Sequence, residues 1–353
     1  MSSATQPRVF GAGLIALDLV VGADPESPVR AWAGGTCGNV LSILAYLGWD
    51  AYPVARMNDD VASSRVRLDM KRWGVHLDWA SCAPTTHTPM IVQEIRRRRD
   101  GRPEHRFSWS CPHCGEWLPP FKAITVDATE RVRPAVAEAS VFFMDRLSRG
   151  TLALAAEASA RGALVVFEPS SRSPQKLLEE AVTLAHVVKY ADHRLTNVPS
   201  VMGNDSAVLL EVQTLGNSGL RYRHRLGSSD TGWMQFKAIP VPRLADTCGA
   251  GDWCTAGLIA KVAAGGLEGF RSAGARGVRS ALRYGQALAA WNCGFEGARG
   301  GMYVVSEEEF KNQISSVLDG RFDSVANTPV EVAPTQAVTC PACPPEPSPI
   351  HQR

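Results

Sequence analysis

Long apolar runs are missing from this chain of 353 residues. No stretch approaches the ~18 uninterrupted apolar residues of a membrane span, and Met1 to Arg8 is polar with no apolar signal core. A dominant charge is missing too. Lys and Arg total 37 against 35 Asp and Glu, a formal net charge of +2, which marks out neither nucleic acid nor a membrane as partner. Nor do the cysteines form a disulfide framework. There are nine, scattered and odd in number, in a chain far longer than a stapled module. A reducing compartment and a cytoplasmic protein are expected. No internal repeat is present. What the chain does have is ordinary globular material, 45% hydrophobic and 20% charged, ample for a large core. One large α/β domain over residues 1–325 with a small appendage is expected, rather than two domains.

Strand-like and helix-like segments alternate. Val9 to Val21 is a strand-like run broken by Gly11 and Gly13. Gly35 to Leu47 reads as a helix, because Val40, Ile43, Leu44 and Leu47 share one face and Gly48 is a natural stop. Ala51 to Ala55 reads as a strand, and Asp60 to Trp73 as a helix ending at Gly74. From about Thr85 to Phe121 helical periodicity is lost and Pro, Arg, Trp and Cys accumulate. Met90 to Ile95 and Arg106 to Trp109 look there like exposed strands of an inserted β element lying over the main sheet. Alternation resumes with strands at Val141 to Met144, Leu164 to Phe167, Val187 to Lys189 and Val208 to Val212, and helices at Leu152 to Ala160 and Pro174 to Leu184. Leu220 to Arg225 and Trp233 to Phe236 read as an antiparallel pair. Two helices, about Gly249 to Ala264 and Phe270 to Cys293, close the ordered part. Residues 326–353 are Pro-rich without apolar periodicity and are expected to be disordered. Such alternation implies a mostly parallel sheet with helices on both faces, and functional residues in loops beyond the carboxyl ends of the strands.

The segment richest in chemistry is Asp246-Thr247-Cys248-Gly249-Ala250-Gly251-Asp252, followed at once by a helix. Small residues let the backbone approach an anion, and the unpartnered N–H groups and dipole of a helix start favour phosphate oxygens. A carboxylate placed there opposes phosphate binding. It suits proton removal from an attacking hydroxyl. Taken alone, a Gly-rich helix start with a favourable acidic residue is the blander reading. Gly11-Ala12-Gly13-Leu14-Ile15-Ala16 fits a weak dinucleotide pattern, but the valines and Gly22 that follow do not continue a helix. The basic run Arg96 to Arg99 is either a solvated strand end or a clamp over an anion.

The seven-residue run resembles, at every fixed position, the signature Asp-Thr-x-Gly-Ala-Gly-Asp of the ribokinase-like (PfkB) carbohydrate kinase family. The resemblance implies that Gly249, Ala250 and Gly251 form an anion hole for the transferred phosphoryl group and that Asp252 is the base. Gly34-Gly35-Thr36-Cys37-Gly38-Asn39 looks like the family's Gly-Gly-x-x-x-Asn segment, with Gly34 and Gly35 as a lid hinge and Asn39 on the substrate. Asp18 sits where the family places a carboxylate for sugar hydroxyls. Thr214-Leu215-Gly216-Asn217-Ser218-Gly219 resembles the turn beside the nucleotide, Lys189 ends a strand near it, and Asn292 resembles the position that closes over the adenine. The resemblance runs from about Val9 to Val305. It implies a ribokinase-like α/β fold with a small β lid, ATP and Mg²⁺ as cofactors, a sugar or nucleoside as substrate, and a homodimer through the lid.

Two features depart from that pattern. The family's Asn-x-x-Glu segment has no match after Lys189-Tyr190, where Ala191-Asp192-His193-Arg194 stands, nor in Asn197-Val198-Pro199-Ser200. Asp192 is the expected substitute near the metal, and a nucleotide- or sugar-sensing protein on the same scaffold is the alternative function. Cys111-Pro112-His113-Cys114-Gly115 has the look of a zinc knuckle, and Cys340-Pro341-Ala342-Cys343 offers a second pair. Reduced thiols are expected there, with structural zinc as the alternative.

Overall fold

The computed structural model describes residues 6–22, 29–82, 86–97, 99, 103–169, 173–192, 201–203, 206–227, 231–241 and 244–321. The expected tail, 326–353, lies outside them, as does the segment Asn197 to Ser200. In chain order the strands are β1 (Arg8–Ala12), β2 (Ala16–Val21), β3 (Arg30–Gly34), β4 (Asp50–Met57), β5 (Ala80–Cys82), β6 (Met90–Arg97), β7 (Pro103–Ser108) and β8 (Val141–Met144). They continue with β9 (Leu164–Phe167), β10 (Val187–Ala191), β11 (Leu210–Thr214), β12 (Leu220–His224) and β13 (Met234–Phe236). The helices are α1 (Thr36–Tyr46), α2 (Val61–Arg72), α3 (Val126–Val136), α4 (Arg149–Ala160), α5 (Gln175–Leu184), α6 (Ala250–Val262), α7 (Gly266–Asn292), α8 (Gly300–Val304) and α9 (Glu307–Leu318).

Nine strands form the main sheet in the order β13-β12-β11-β10-β9-β8-β1-β4-β5. From β11 to β5 the neighbours run parallel, and β12 and β13 add an antiparallel edge. The central strands β8 and β9 are apolar at every position because both faces are covered. Val141 and Phe143 of β8 join one core layer, with α1, α6 and α7, while Phe142 and Met144 join the opposite layer, with α3 and α4. The period of two along a strand divides the core in this way.

Four strands leave that sheet and form a second one, in the order β3-β2-β6-β7. The β element expected around 85–121 supplies only β6 and β7. Residues of β2 and β3 supply the rest, with Asp18 opposite Ile91 across the parallel β2–β6 pairing. The chain is turned out of the main sheet just after β1, where the Leu14 N–H donates to Asp145 Oδ1 at 2.9 Å. Gly13 is needed there, since a Cβ on it would fall 1.7 Å from that carboxylate oxygen. Asp18 therefore sits on the small sheet, not at the end of the first core strand. The strand β2 also removes the dinucleotide reading, which requires a helix at this point.

Candidate active site

Helix α6 starts at Gly249, whose φ of 73° is left-handed. A side chain there meets a second obstacle, because a Cβ would lie 2.3 Å from the Ala298 carbonyl oxygen. Two demands, one conformational and one steric, thus select glycine. The helix is held from behind by close packing on α7, where a Cβ on Gly257 would come within 2.6 Å of Gly285 Cα. Trp253 and Trp291, both fully buried, meet edge to face at 5.3 Å.

Asp252 stands in the first turn of α6, only 8% exposed. Its Oδ2 accepts a hydrogen bond from Asn39 Nδ2 at 2.8 Å. Burial, and then the Glu168 charge, push its carboxyl well above the usual carboxylate range, against the Asn39 bond and the Lys189 charge. A raised basicity suits a group that must take a proton.

The other end of the Asn39 amide is also committed. Its Oδ1 accepts from Arg299 Nε at 3.1 Å. Arg299 is itself buried, and its Nη2 donates to the Ala33 carbonyl at 2.5 Å and to Asp69 Oδ2 at 2.9 Å. Asp69 in turn accepts from the Ala33 N–H and the Tyr303 hydroxyl. An amide with an arginine on its oxygen can only offer its NH₂ to Asp252, so this chain from α2 fixes which way Asn39 points.

Glu168 follows β9 directly, and its Oε1 accepts from Lys189 Nζ at 2.7 Å while Oε2 accepts from Thr255 Oγ1 at 2.5 Å. Burial works against the Lys189 charge, but the attraction and hydrogen bond of Glu168 outweigh it and keep the ammonium above its ordinary value. The acid missing in sequence after Lys189 is supplied in space by the preceding strand. A Cβ on Gly251 would sit 3.4 Å from Glu168 Oε1 and 3.5 Å from Lys189 Nζ, at contact distance, so the helix start lies directly beside the ion pair.

Asp18 faces these groups from the small sheet. Gly34 makes room for it, since a Cβ there would be 1.9 Å from Asp18 Oδ2, and Gly35 has φ 78° against the Leu14 carbonyl oxygen. Burial lifts the Asp18 carboxyl to about 7, against the Gly35 N–H and the Arg299 charge, which pull it down. One cleft of about 340 Å³ brings the two acids together, with Asp18, Gly35, Asn39, Gly249, Gly251 and Asp252 on its wall. Phe107 and Trp109 from the small-sheet side, and Glu168, Arg146, Ala191 and Thr214 from the main-sheet side, also line it.

Other expected site residues lie elsewhere. Asn292 is fully buried, and its amide is spent on the 297–301 loop, donating to the Gly297 and Ala298 carbonyls and accepting from the Gly301 N–H. It organises the site from behind and does not line the cleft. Gly219 packs in the β12 hairpin, where a Cβ would be 2.1 Å from the Phe236 carbonyl oxygen, whereas Gly216 borders open space. Asp192 is exposed, with its N–H on the Thr214 carbonyl at 3.1 Å. Arg96 lies exposed beside Glu94, as a solvated strand end does. Cys111 and Cys114 lie in a hairpin beyond β7, away from Asp252's wall of the cleft. Glu168, Arg299 and Arg146 had not been foreseen. Glu168 had a usable signal, an acid just past the carboxyl end of a buried strand. Arg299 had none, because its partners Asn39 and Asp69 are more than 200 positions away.

Comparison with known proteins fits this geometry. The profile described as pfkB family carbohydrate kinase matches residues 20–303. A fructokinase from Klebsiella pneumoniae is 27% identical over 287 residues, 74% of this chain and 86% of that protein. Among solved structures, a fructokinase from Xylella fastidiosa with bound ATP superposes with a TM-score of 0.67 at 17% identity, over 88% of this chain and 98% of its own. A Burkholderia thailandensis nucleoside kinase in complex with inosine gives 0.62 at 18% identity, over 89% and 98%. With a family match over most of its length and these neighbours sharing its fold, the chain belongs to the pfkB family of carbohydrate kinases.

Proposed function

We propose that the protein transfers the γ-phosphoryl group of ATP to a hydroxyl of a sugar or nucleoside, with Asp252 as general base. The observation that carries this reading is the shared cleft, with a basic carboxylate at a helix start on one wall and a second carboxylate on the small sheet opposite. Asp18 and Gly35 orient the acceptor from the small sheet. As the acceptor oxygen bonds to phosphorus and the bond to the leaving diphosphate breaks, its proton passes to Asp252 Oδ1, since Oδ2 already accepts from Asn39. The N–H groups of the first turn of α6 offset charge on the transferred group. ATP is supported as donor by the ATP-bound neighbour. Mg²⁺ fits the site chemically, because it keeps most of its waters and needs only one or two carboxylates besides phosphate. Glu168, on the cleft wall, is the acid that would hold it, and the ion would neutralise phosphate charge. The regulatory alternative drew on the missing acid after Lys189, and Glu168 beside that lysine supports the kinase reading over it. Among the described residues β7 stands at the edge of the small sheet, which supports pairing with a second copy.

The test is ATP turnover over a panel of sugars and nucleosides, for the wild type and Asp252→Asn. Turnover with one class of acceptor, lost in the variant while ATP binding persists, is the expected result. ATP binding without turnover across the panel would overturn the reading.

A further inference from the structure

Arg146 lines the cleft, yet neither the general base nor the helix start makes use of it. It stands just past the carboxyl end of β8. Its Nη1 donates to Asp145 Oδ2 at 2.9 Å and to the Asp145 carbonyl at 3.3 Å. The Asp145 side chain is wholly buried, and its Oδ1 holds the Leu14 N–H. The arginine is therefore aimed by an acid that is itself fixed to the turn leading out of the main sheet.

That anchor uses one nitrogen of three. Among the described residues, Nε and Nη2 of Arg146 have no hydrogen-bond partner, and the side chain is 17% exposed. Together they present two parallel N–H groups, the fork that matches both oxygens of a carboxylate or phosphate. The acids of the cleft are held by other donors. Glu168 accepts from Lys189 and Thr255, Asp252 from Asn39, and Asp18 from the Gly35 N–H. The fork is left for a ligand.

Sheet order says which one. Strands β11, β10, β9, β8 and β1 lie side by side, and their carboxyl ends bring Thr214, Ala191, Glu168, Arg146 and Leu14 to the cleft in that sequence. Arg146 is thus one strand from Leu14 and three from Thr214. The Leu14 carbonyl accepts from the Gly38 N–H at 3.2 Å, so this end adjoins α1 and the small sheet. Burial and the Asp145 and Asp252 charges push the Cys37 thiol up, and Arg146 pulls it down, so the guanidinium is within electrostatic reach of α1.

Resting on the kinase reading above, we propose that the acceptor is a sugar bearing an anionic group, carboxylate or phosphate, which Arg146 binds through Nε and Nη2. The anion is held, not attacked. A hydroxyl elsewhere on the molecule bonds phosphorus and gives its proton to Asp252. An anion entering beside Asp18, Glu168 and Asp252 needs such a cation, and this makes the arginine a selector among acceptors.

The experiment compares acceptors that differ in charge alone: fructose with 2-ketogluconate and with fructose 1-phosphate, and glucitol with gluconate. Wild type, Arg146→Gln and Arg146→Lys are compared by kcat/KM. At least one anionic member is expected to exceed its neutral partner tenfold or more in the wild type. In Arg146→Gln that preference should fall about 10- to 150-fold, the range for hydrogen bonds to a charged group. Arg146→Lys, a point charge without the fork, should keep part of it. The arm that shows the preference tells carboxylate from phosphate. A wild type that favours the neutral partners overturns the inference and leaves the kinase reading standing. So does an equal loss for anionic and neutral acceptors in Arg146→Gln with a raised ATP KM, since the fork would then serve the nucleotide. Absent turnover across the panel strikes the kinase reading, and calorimetry on Asp252→Asn, with and without Arg146→Gln, then decides the inference. Tighter binding of an anionic member, lost with Arg146, supports it; equal binding, or none, overturns it.

Discussion

The two sheets hold their acids in different ways. Asp252 belongs to the main body, where α6 is wedged against α7 and the carboxylate is tied to Asn39, itself tied to Arg299. Asp18 belongs to the four-stranded sheet, where room for it comes from the bare backbone of Gly34 and Gly35. One acid is braced by side chains and the other is accommodated by their absence. The difference suits the proposed division of labour: a reacting group needs fixed geometry, while an acceptor-holding group can sit on an element whose exit runs through Gly35 at φ 78°.

If that division is right, substitutions on the two sides separate kcat from KM. The largest effect is expected for Asp252→Asn, a loss of about 10²–10⁴ in kcat with ATP affinity preserved, checked by steady-state kinetics and nucleotide titration. Equal turnover in the variant would break the comparison at its strongest point. Arg299→Leu removes the group that orients Asn39 and leaves buried acceptors unpaired. A fall in kcat of about 5- to 150-fold is expected, from a cost of about 1–3 kcal/mol, and Arg299→Lys should restore part of it. Asp18→Asn acts on the other side. The acceptor KM should rise about ten- to a hundredfold, for a lost hydrogen bond to charge, with kcat within a few-fold of the wild type. Trp109→Ala should raise the acceptor KM by only a few-fold, for an aromatic contact of about 0.5–1.5 kcal/mol.

Proton linkage sharpens the Asp18 case. Its carboxyl titrates at about 7 in the fold, against 3.8 ordinarily. The acceptor KM of the wild type should rise as pH falls through 7, and this dependence should vanish in Asp18→Asn. Stability runs the other way. The buried acid is favoured in its protonated form, so its contribution is present below 3.8 and lost as pH rises through about 7. Asp18→Asn should therefore melt above the wild type at pH 8, with the gap closing toward pH 4, as calorimetry can show.

Much of the main sheet was legible because its signals are local. Val141–Met144 and Leu164–Phe167 are short apolar runs between turn residues, and the structure places β8 and β9 on those residues. The Gly-rich start of α6 was equally plain. Helix α9 was missed although Ser306 caps it and accepts from the Glu309 N–H at 3.2 Å, a Ser-x-x-Glu box readable in sequence. Helix α3 was missed with better cause, since Pro134 lies inside it. The small sheet was half seen, because β2 and β6 pair in parallel across some seventy residues and nothing local announces the pairing. The site followed the same rule. Asp252, Asn39 and Asp18 stand in recognisable segments, whereas Glu168 and Arg299 matter only through neighbours that folding brings to them. Asn292 was legible as a special residue, but its side chain serves the loop behind the site.

The Ala298 carbonyl has a consequence for how the enzyme comes into being. It abuts Gly249, accepts from Trp253 Nε1 at 3.0 Å and from Asn292 Nδ2 at 3.1 Å, and stands next to the arginine that aims Asn39. Every strand among the described residues precedes it in the chain. As the polypeptide leaves the ribosome, amino end first, the strands are made before the Gly249 turn has the Ala298 carbonyl to lean on. The start of α6 therefore gains its support only when the last part of the described chain has been made.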